Sequence, residues 1–386
     1  MSLRCDLFCA VVDNFGDIGI CWRLSRQLVT EHQWQLCLWV DDLVSFQKIC
    51  PDVDTGLTDQ QVAGVRIRLW SSPLPPLSEA DRPDLLLDAL ACAAPQSYLQ
   101  WLTQAAIKPL WLNLEYLSAE DWVADCHGLP SLHPQIALKK YFFFPGFTDK
   151  TGGLIREQHK VTQLAALTAD PDAQQQFWQR IGVADAMQYQ RKISLFAYSQ
   201  PNIQHWLAQL AQGPQSHLLL VPEGVLAREL QAYYPQLAEG RMDLGQLSLR
   251  ILPFVPQPDY DLLLACCDIN FVRGEDSIIR AHWAGKPFVW QIYRQPENAH
   301  QEKLQAFLQK FLVGAAPATE QAIRGLYQAW ELEQDISLAW TDYMQQLEQI
   351  QLHSLNWQQF LTRQQDLASN LVRFVENQLI IPRNFS

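Results

Sequence analysis

Basic residues are the scarce class in this chain: 29 Lys and Arg stand against 41 Asp and Glu, for a formal net charge of −12. A non-specific nucleic-acid binder needs basic surface to displace condensed counterions, so that class is excluded for the chain as a whole, though a local basic site is not. Nine cysteines are scattered without CxxC spacing, at Cys5, Cys9, Cys21, Cys37, Cys50, Cys92, Cys126, Cys266 and Cys267. They read as reduced thiols packed as small hydrophobes, not as a disulfide frame or zinc site. The histidines form no HxxH or HExxH grouping. No segment approaches the ~18 apolar residues of a membrane span, so a cytoplasmic location without membrane contact is expected. No short-period repeat is visible.

What is present is enough apolar material for two cores. The chain has 386 residues, 48% of them apolar, whereas single cores stop growing near ~250–300 residues. Its 14 tryptophans read chiefly as amphipathic core filler, with stacking on sugars or bases as the other reading. In the first half, strand patterns at 5–12, 36–40, 65–70, 85–90 and 110–114 alternate with helical ones such as 18–31. This spacing is the mark of βαβ units and a parallel sheet. Between 158 and 191 the composition turns to Gln, Ala and Asp, and reads as a helical connector. A second series follows at 193–198, 218–221, 249–253, 269–272 and 287–292, with a helix at 203–212 among them. From 301 onward the chain reads as helical through 379. The expected fold class is therefore α/β, in the GT-B arrangement of two Rossmann-like domains facing across a cleft. Domains are expected at 1–180 for the acceptor and 181–355 for a nucleotide sugar, with a C-terminal helix at 356–386 crossing back to the first.

The first chemical constellation is Asp13-Asn14-Phe15-Gly16-Asp17-Ile18-Gly19, between the first strand and first helix. Open α/β sheets place ligands there, at the carboxyl ends of the strands. Glycine-rich turns at that point usually cradle phosphate on helix-terminal N–H groups. This one lacks both the GxGxxG spacing and the P-loop lysine, and its two carboxylates would repel an anion. They suit a cationic or proton-losing partner. The plainer reading is that Asp17 caps the helix and Asp13 makes an Asx turn.

The second is Arg273-Gly274-Glu275-Asp276-Ser277, where a strand gives way to a helix over 277–284. Asp276 and Ser277 are N-cap candidates, and the helix start would hold an anion. Arg273 is suited to gripping a pyrophosphate bidentately, and Glu275 to accepting hydrogen bonds from sugar or ribose hydroxyls. The plainer reading is an Arg273–Glu275 surface pair, worth only ~0–1 kcal/mol. Upstream, Phe254 offers a face for a base and Gln257 a hydrogen-bonding amide. Three DxD triplets, at Asp52/Asp54, Asp170/Asp172 and Asp259/Asp261, read as loop or helix-start residues and not as metal motifs.

Taken together, these loops resemble the protein-arginine rhamnosyltransferase family that modifies elongation factor P (EarP). The likeness also runs through Cys21-Trp22-Arg23, Leu38 to Leu43, Phe144-Pro145-Gly146-Phe147, Thr151-Gly152-Gly153-Leu154, Ser194 to Tyr198 and Trp283 to Trp290. It implies an inverting, metal-independent GT-B enzyme with no cofactor. Its donor would be dTDP-β-L-rhamnose and its acceptor one arginine of elongation factor P, activating that factor for rescue of stalled ribosomes. Asp17 is implied as general base and Asp13 as its partner at the guanidinium, with Glu275 a further catalytic residue. Asn14, Phe15 and Gly16 are implied around the substrate. Phe196, Tyr198, Phe254, Gln257, Arg273, Glu275, Asp276 and Ser277 are implied in donor binding. The family's pattern has an acidic residue where Ser199 stands and a histidine where Gln291 stands; neither position receives a role.

Alternatives from other classes are a sugar-nucleotide epimerase or hydrolase on the same scaffold, and a non-catalytic elongation factor P binding protein. A dehydrogenase is disfavoured because the dinucleotide fingerprint is absent.

Overall fold

The computed structural model describes residues 3–12, 15–71, 73–294 and 299–383. The chain divides into two compact units, one of residues 1–158 with 363–386 and the other of residues 159–362.

The first unit begins β1 (Arg4–Cys9), α1 (Gly16–His32), β2 (Gln35–Val40), α2 (Leu43–Ile49), β3 (Asp59–Val62) and β4 (Val65–Leu69). It continues β5 (Leu85–Ala89), α3 (Gln96–Thr103), β6 (Leu110–Leu114), α4 (Trp122–Cys126), β7 (Pro130–Leu132) and β8 (Lys139–Phe143). The strand order is β3-β4-β2-β1-β5-β6-β8-β7. The pairings from β4 through β8 are parallel, while β3 and β7 close the edges antiparallel. Chain order reverses between β1 and β5, which makes that junction the switch point of the sheet.

Aromatic packing holds one face of this sheet. Phe8 stacks on Trp39 with centroids 5.3 Å apart, and both rings join Tyr98, Leu102 and Trp111 in one buried cluster. The tryptophan reading is met here and again at Trp178, Trp206, Trp283 and Trp330, all fully buried. All nine cysteines are free thiols, seven of them buried.

The second unit opens on α5 (Lys160–Ala169) and α6 (Pro171–Arg180), then β9 (Arg191–Leu195), α7 (Ile203–Gln212), β10 (His217–Pro222) and α8 (Val225–Tyr233). There follow β11 (Arg241–Leu244), β12 (Leu247–Leu252), α9 (Gln257–Cys266), β13 (Ile269–Arg273), α10 (Gly274–Ala284) and β14 (Phe288–Gln291). Four helices complete it: α11 (Ala299–Phe311), α12 (Pro317–Glu331), α13 (Ser337–Gln345) and α14 (Leu347–Thr362). Its sheet order is β11-β12-β10-β9-β13-β14, parallel except at the β11 edge, with the switch point between β9 and β13. Residues 159–180, read as connector and placed by the expected bound at 180 in the first domain, pack with this second unit. Leu167 lies against the cluster of Phe177, Leu218 and Leu263, and Lys160 pairs with Asp261.

The last helix, α15 (Leu367–Arg383), belongs to the first unit. The motif Thr151-Gly152-Gly153-Leu154 receives it: Leu154 O accepts from Leu367 N–H at 2.9 Å, and Gly152 O from Asn370 Nδ2 at 3.0 Å. Gly153 has φ +77°, and a Cβ there would stand 2.5 Å from Gln365 O. Only glycine permits so close a backbone approach in that conformation.

Candidate active site

In the first unit the segment between β1 and α1 leaves the sheet at its switch point. Asp13 and Asn14 lie outside the described residues. Phe15 occupies the N-cap of α1 without a side-chain cap bond, and Asp17 lies in the first turn, so Asp17 is not the N-cap. Its Oδ2 accepts from the Val12 N–H at 2.9 Å, and the residue is only 3% exposed. Its carboxylate therefore ties the incoming loop to the helix that follows. Phe15 and Gly16 are half-buried beside it, with Lys48 Nζ 5.8 Å from the Phe15 ring.

Two acidic residues to which sequence reasoning gave no role also meet this loop and its neighbour. Asp41, just beyond β2, accepts from the Val11 N–H at 2.9 Å. Asp88, on β5 across the switch point, accepts from the Ala94 N–H at 3.2 Å, and burial pushes its carboxyl up to about 7. The backbone after β5 is constrained as well, since Leu90 and Ala91 both hold left-handed φ of 54° and 58°. Successive non-glycine residues in that region persist only where the surroundings impose them. The one signal in sequence was position: each follows or ends an apolar run.

In the second unit the candidate residues gather on both sides of the β9–β13 switch point. The Arg273 guanidinium lies between two rings, with its carbon 4.5 Å from the centroid of Phe196 and 4.5 Å from that of Tyr198. Such a cation–π sandwich orients the charge while leaving its N–H fork for an anion. No carboxylate stands within ion-pair distance of Arg273 among the described residues, so the Arg273–Glu275 surface pair is not formed. Helix α10 starts at Gly274, whose φ of 63° turns the chain out of β13. Arg273 is thus the N-cap residue, and the expectation that Asp276 or Ser277 caps the helix is corrected. Both sit in its first turn with Glu275, and Ser277 Oγ donates to Arg273 O.

Asp276 and Gln257 belong to a buried ion network. Arg280 Nε donates to Asp276 Oδ2 at 2.7 Å and Arg280 Nη1 to Asp261 Oδ1 at 2.7 Å, while Lys160 Nζ reaches Asp261 Oδ2 at 2.6 Å. Arg280 Nη1 also donates to Gln257 O at 3.3 Å, and Gln257 Nε2 to Asp276 Oδ2 at 3.4 Å. The network pins the start of α9 to the first turns of α10. Phe254 is half-buried in the segment before α9. Of the DxD triplets, Asp52 and Asp54 occupy a turn, Asp170 caps α6, and Asp259 and Asp261 lie within α9. Two concave surfaces of about 390 and 540 Å³, one beside Asp6 and Arg68 and one between α11 and α12, contain none of the candidate residues. Among the described residues no helix is long and apolar enough to cross a membrane.

Two consecutive doubly wound sheets, each with polar residues collected at its switch point, have the architecture of the GT-B fold class. Comparison with known proteins narrows the class. The family described as Elongation-Factor P (EF-P) rhamnosyltransferase EarP matches residues 5–376. A protein-arginine rhamnosyltransferase of Pseudomonas putida is 45% identical over 385 residues, covering 98% of this chain and 100% of its own length. A solved structure described as the structural basis for EarP-mediated arginine glycosylation of translation elongation factor EF-P superposes with a TM-score of 0.69 at 33% identity, over 97% of this chain and 99% of that one. The UDP-GlcNAc 2-epimerase of Neisseria meningitidis superposes at 0.54 with 10% identity, over 97% and 99%, and shares the fold alone. The chain belongs to the EarP family.

Proposed function

We propose that this protein transfers L-rhamnose from dTDP-β-L-rhamnose to an arginine side chain of elongation factor P, with inversion. The observation that carries the donor half is the free guanidinium of Arg273, held between Phe196 and Tyr198 at the N-terminus of α10. A pyrophosphate matches that fork and the helix-start amides, and both would stabilise charge on departing dTDP. Phe254 and Gln257 would take the base, Glu275 and Asp276 the hydroxyls, and Ser277 the phosphates. The reading assigns no step to a metal ion or cofactor.

The acceptor half rests on Asp17, with Asp13 as its partner. An arginine has a pKa above ~12, so it arrives charged and non-nucleophilic. Full deprotonation by a carboxylate beforehand is far uphill. The proton therefore leaves late: as nitrogen bonds to the anomeric carbon its acidity rises, and Asp17 accepts the proton while Asp13 pairs with the guanidinium. Attack opposite the nucleotide converts β to α. Asn14, Phe15 and Gly16 would shape the pocket around the incoming side chain.

The test is to incubate purified protein, elongation factor P and dTDP-rhamnose, then map masses of the acceptor's peptides. The expected result is one deoxyhexose increment on one arginine. Release of dTDP with no increment would point instead to a hydrolase. No reaction with intact substrates would sink the assignment.

A further inference from the structure

Strand β14 ends in Gln291, directly opposite Arg273 on β13. Gln291 is only 4% exposed, and its Oε1 accepts the Tyr198 N–H at 2.8 Å. Tyr198 is one of the two rings that flank the Arg273 guanidinium. One amide therefore spans the loop after β9 and the strand pair β13–β14. The backbone donor at Tyr198 also decides which end of the amide is oxygen, so Nε2 is directed elsewhere. That Nε2 donates to nothing among the described residues, and it is not among the side-chain atoms sealed from solvent. A nearly buried side chain that spends its acceptor and leaves its donor open is poised for a ligand's acceptor.

We infer that Gln291 is a donor-binding residue whose Nε2 hydrogen-bonds a phosphate oxygen of the bound nucleoside diphosphate, while Oε1 holds Tyr198 in place under Arg273. The inference rests on reading the start of α10 as the donor site. It gives a role to the position where the family's pattern carries a histidine. An amide there is neutral, so the grip on the diphosphate does not switch with the charge of this side chain near neutral pH, as it would with an imidazole.

Calorimetric titration with dTDP tests this on the full-length protein. Gln291→Glu keeps an oxygen for the Tyr198 N–H but replaces the donor with an anion. Its dTDP affinity is expected to fall by roughly tenfold or more. Gln291→His should bind dTDP more tightly at about pH 6 than at about pH 8, beyond any change in the wild type. A Gln291→Glu affinity within about twofold of wild type overturns the inference, as does a Gln291→His protein whose pH profile follows the wild type. If Gln291→Glu does not fold, the histidine variant decides alone. Failure of the wild type to bind dTDP would instead sink the donor-site reading itself.

Discussion

Asp88 shows how a single carboxyl senses the site around it. Burial lifts it to about 7 in the folded chain, against ~4 for an exposed aspartate. Between about pH 4 and about pH 7 the folded protein keeps a proton that the unfolded chain has released, so stability falls as pH rises through that window and levels off above it. Asp88→Asn removes this penalty and retains an oxygen for the Ala94 N–H. Urea unfolding should show the variant gaining on wild type by about 2–3 kcal/mol more at about pH 8 than at about pH 5. An equal difference at both pH values would contradict the buried, protonated carboxyl. Nothing in Leu-Leu-Leu-Asp-Ala announces this property, because it arises from strands that neighbour β5 only after folding. The positions of Arg273 and Asp17 were legible for the opposite reason: each lies at a strand–loop–helix junction that is local in sequence.

At the scale of elements, α10 carries the donor half of the proposal and is held by ions as well as by apolar packing. Arg280 is 2% exposed and touches both Asp276 and Asp261. Removing one partner of a buried charge cluster leaves the others uncompensated, which costs about 3–5 kcal/mol. Arg280→Ala should lose stability on that scale in urea unfolding, whereas a loss below about 1 kcal/mol would place the cluster with weak surface pairs. The sequence placed this helix at 277–284, one turn late, because Asp276 and Ser277 are better capping residues than Arg273. Gly274 overrides that preference by taking a left-handed turn directly out of β13. The parallel strands were legible from their apolar runs, except β8, whose Lys-Lys-Tyr-Phe-Phe begins with two charges. The edge strands β3, β7 and β11 were not, since three- and four-residue polar segments such as Asp-Gln-Gln-Val become strands only by pairing with a neighbour. The connector at 159–180 reads as helical in either unit, and only contacts such as Lys160–Asp261 assign it.

The whole molecule uses one plan twice: a doubly wound sheet whose switch point gathers polar side chains, anionic on the first unit and centred on an open guanidinium on the second. That duplication was readable as two series of βαβ spacing, and the difference between the loops as a difference in charge. The identity of sugar and acceptor was not readable from spacing, because a carboxylate pair and an arginine fork serve many substrates. In the proposed reaction the two loops therefore divide the labour between acceptor and donor. The most direct test of that division is single-turnover transfer by Asp17→Asn at saturating dTDP-rhamnose, with dTDP affinity measured on the same preparation. Transfer to elongation factor P should fall by about 10²–10⁴-fold while dTDP binding stays within about twofold of wild type. Transfer at the wild-type rate, or a loss of dTDP binding in step with the loss of transfer, would contradict it.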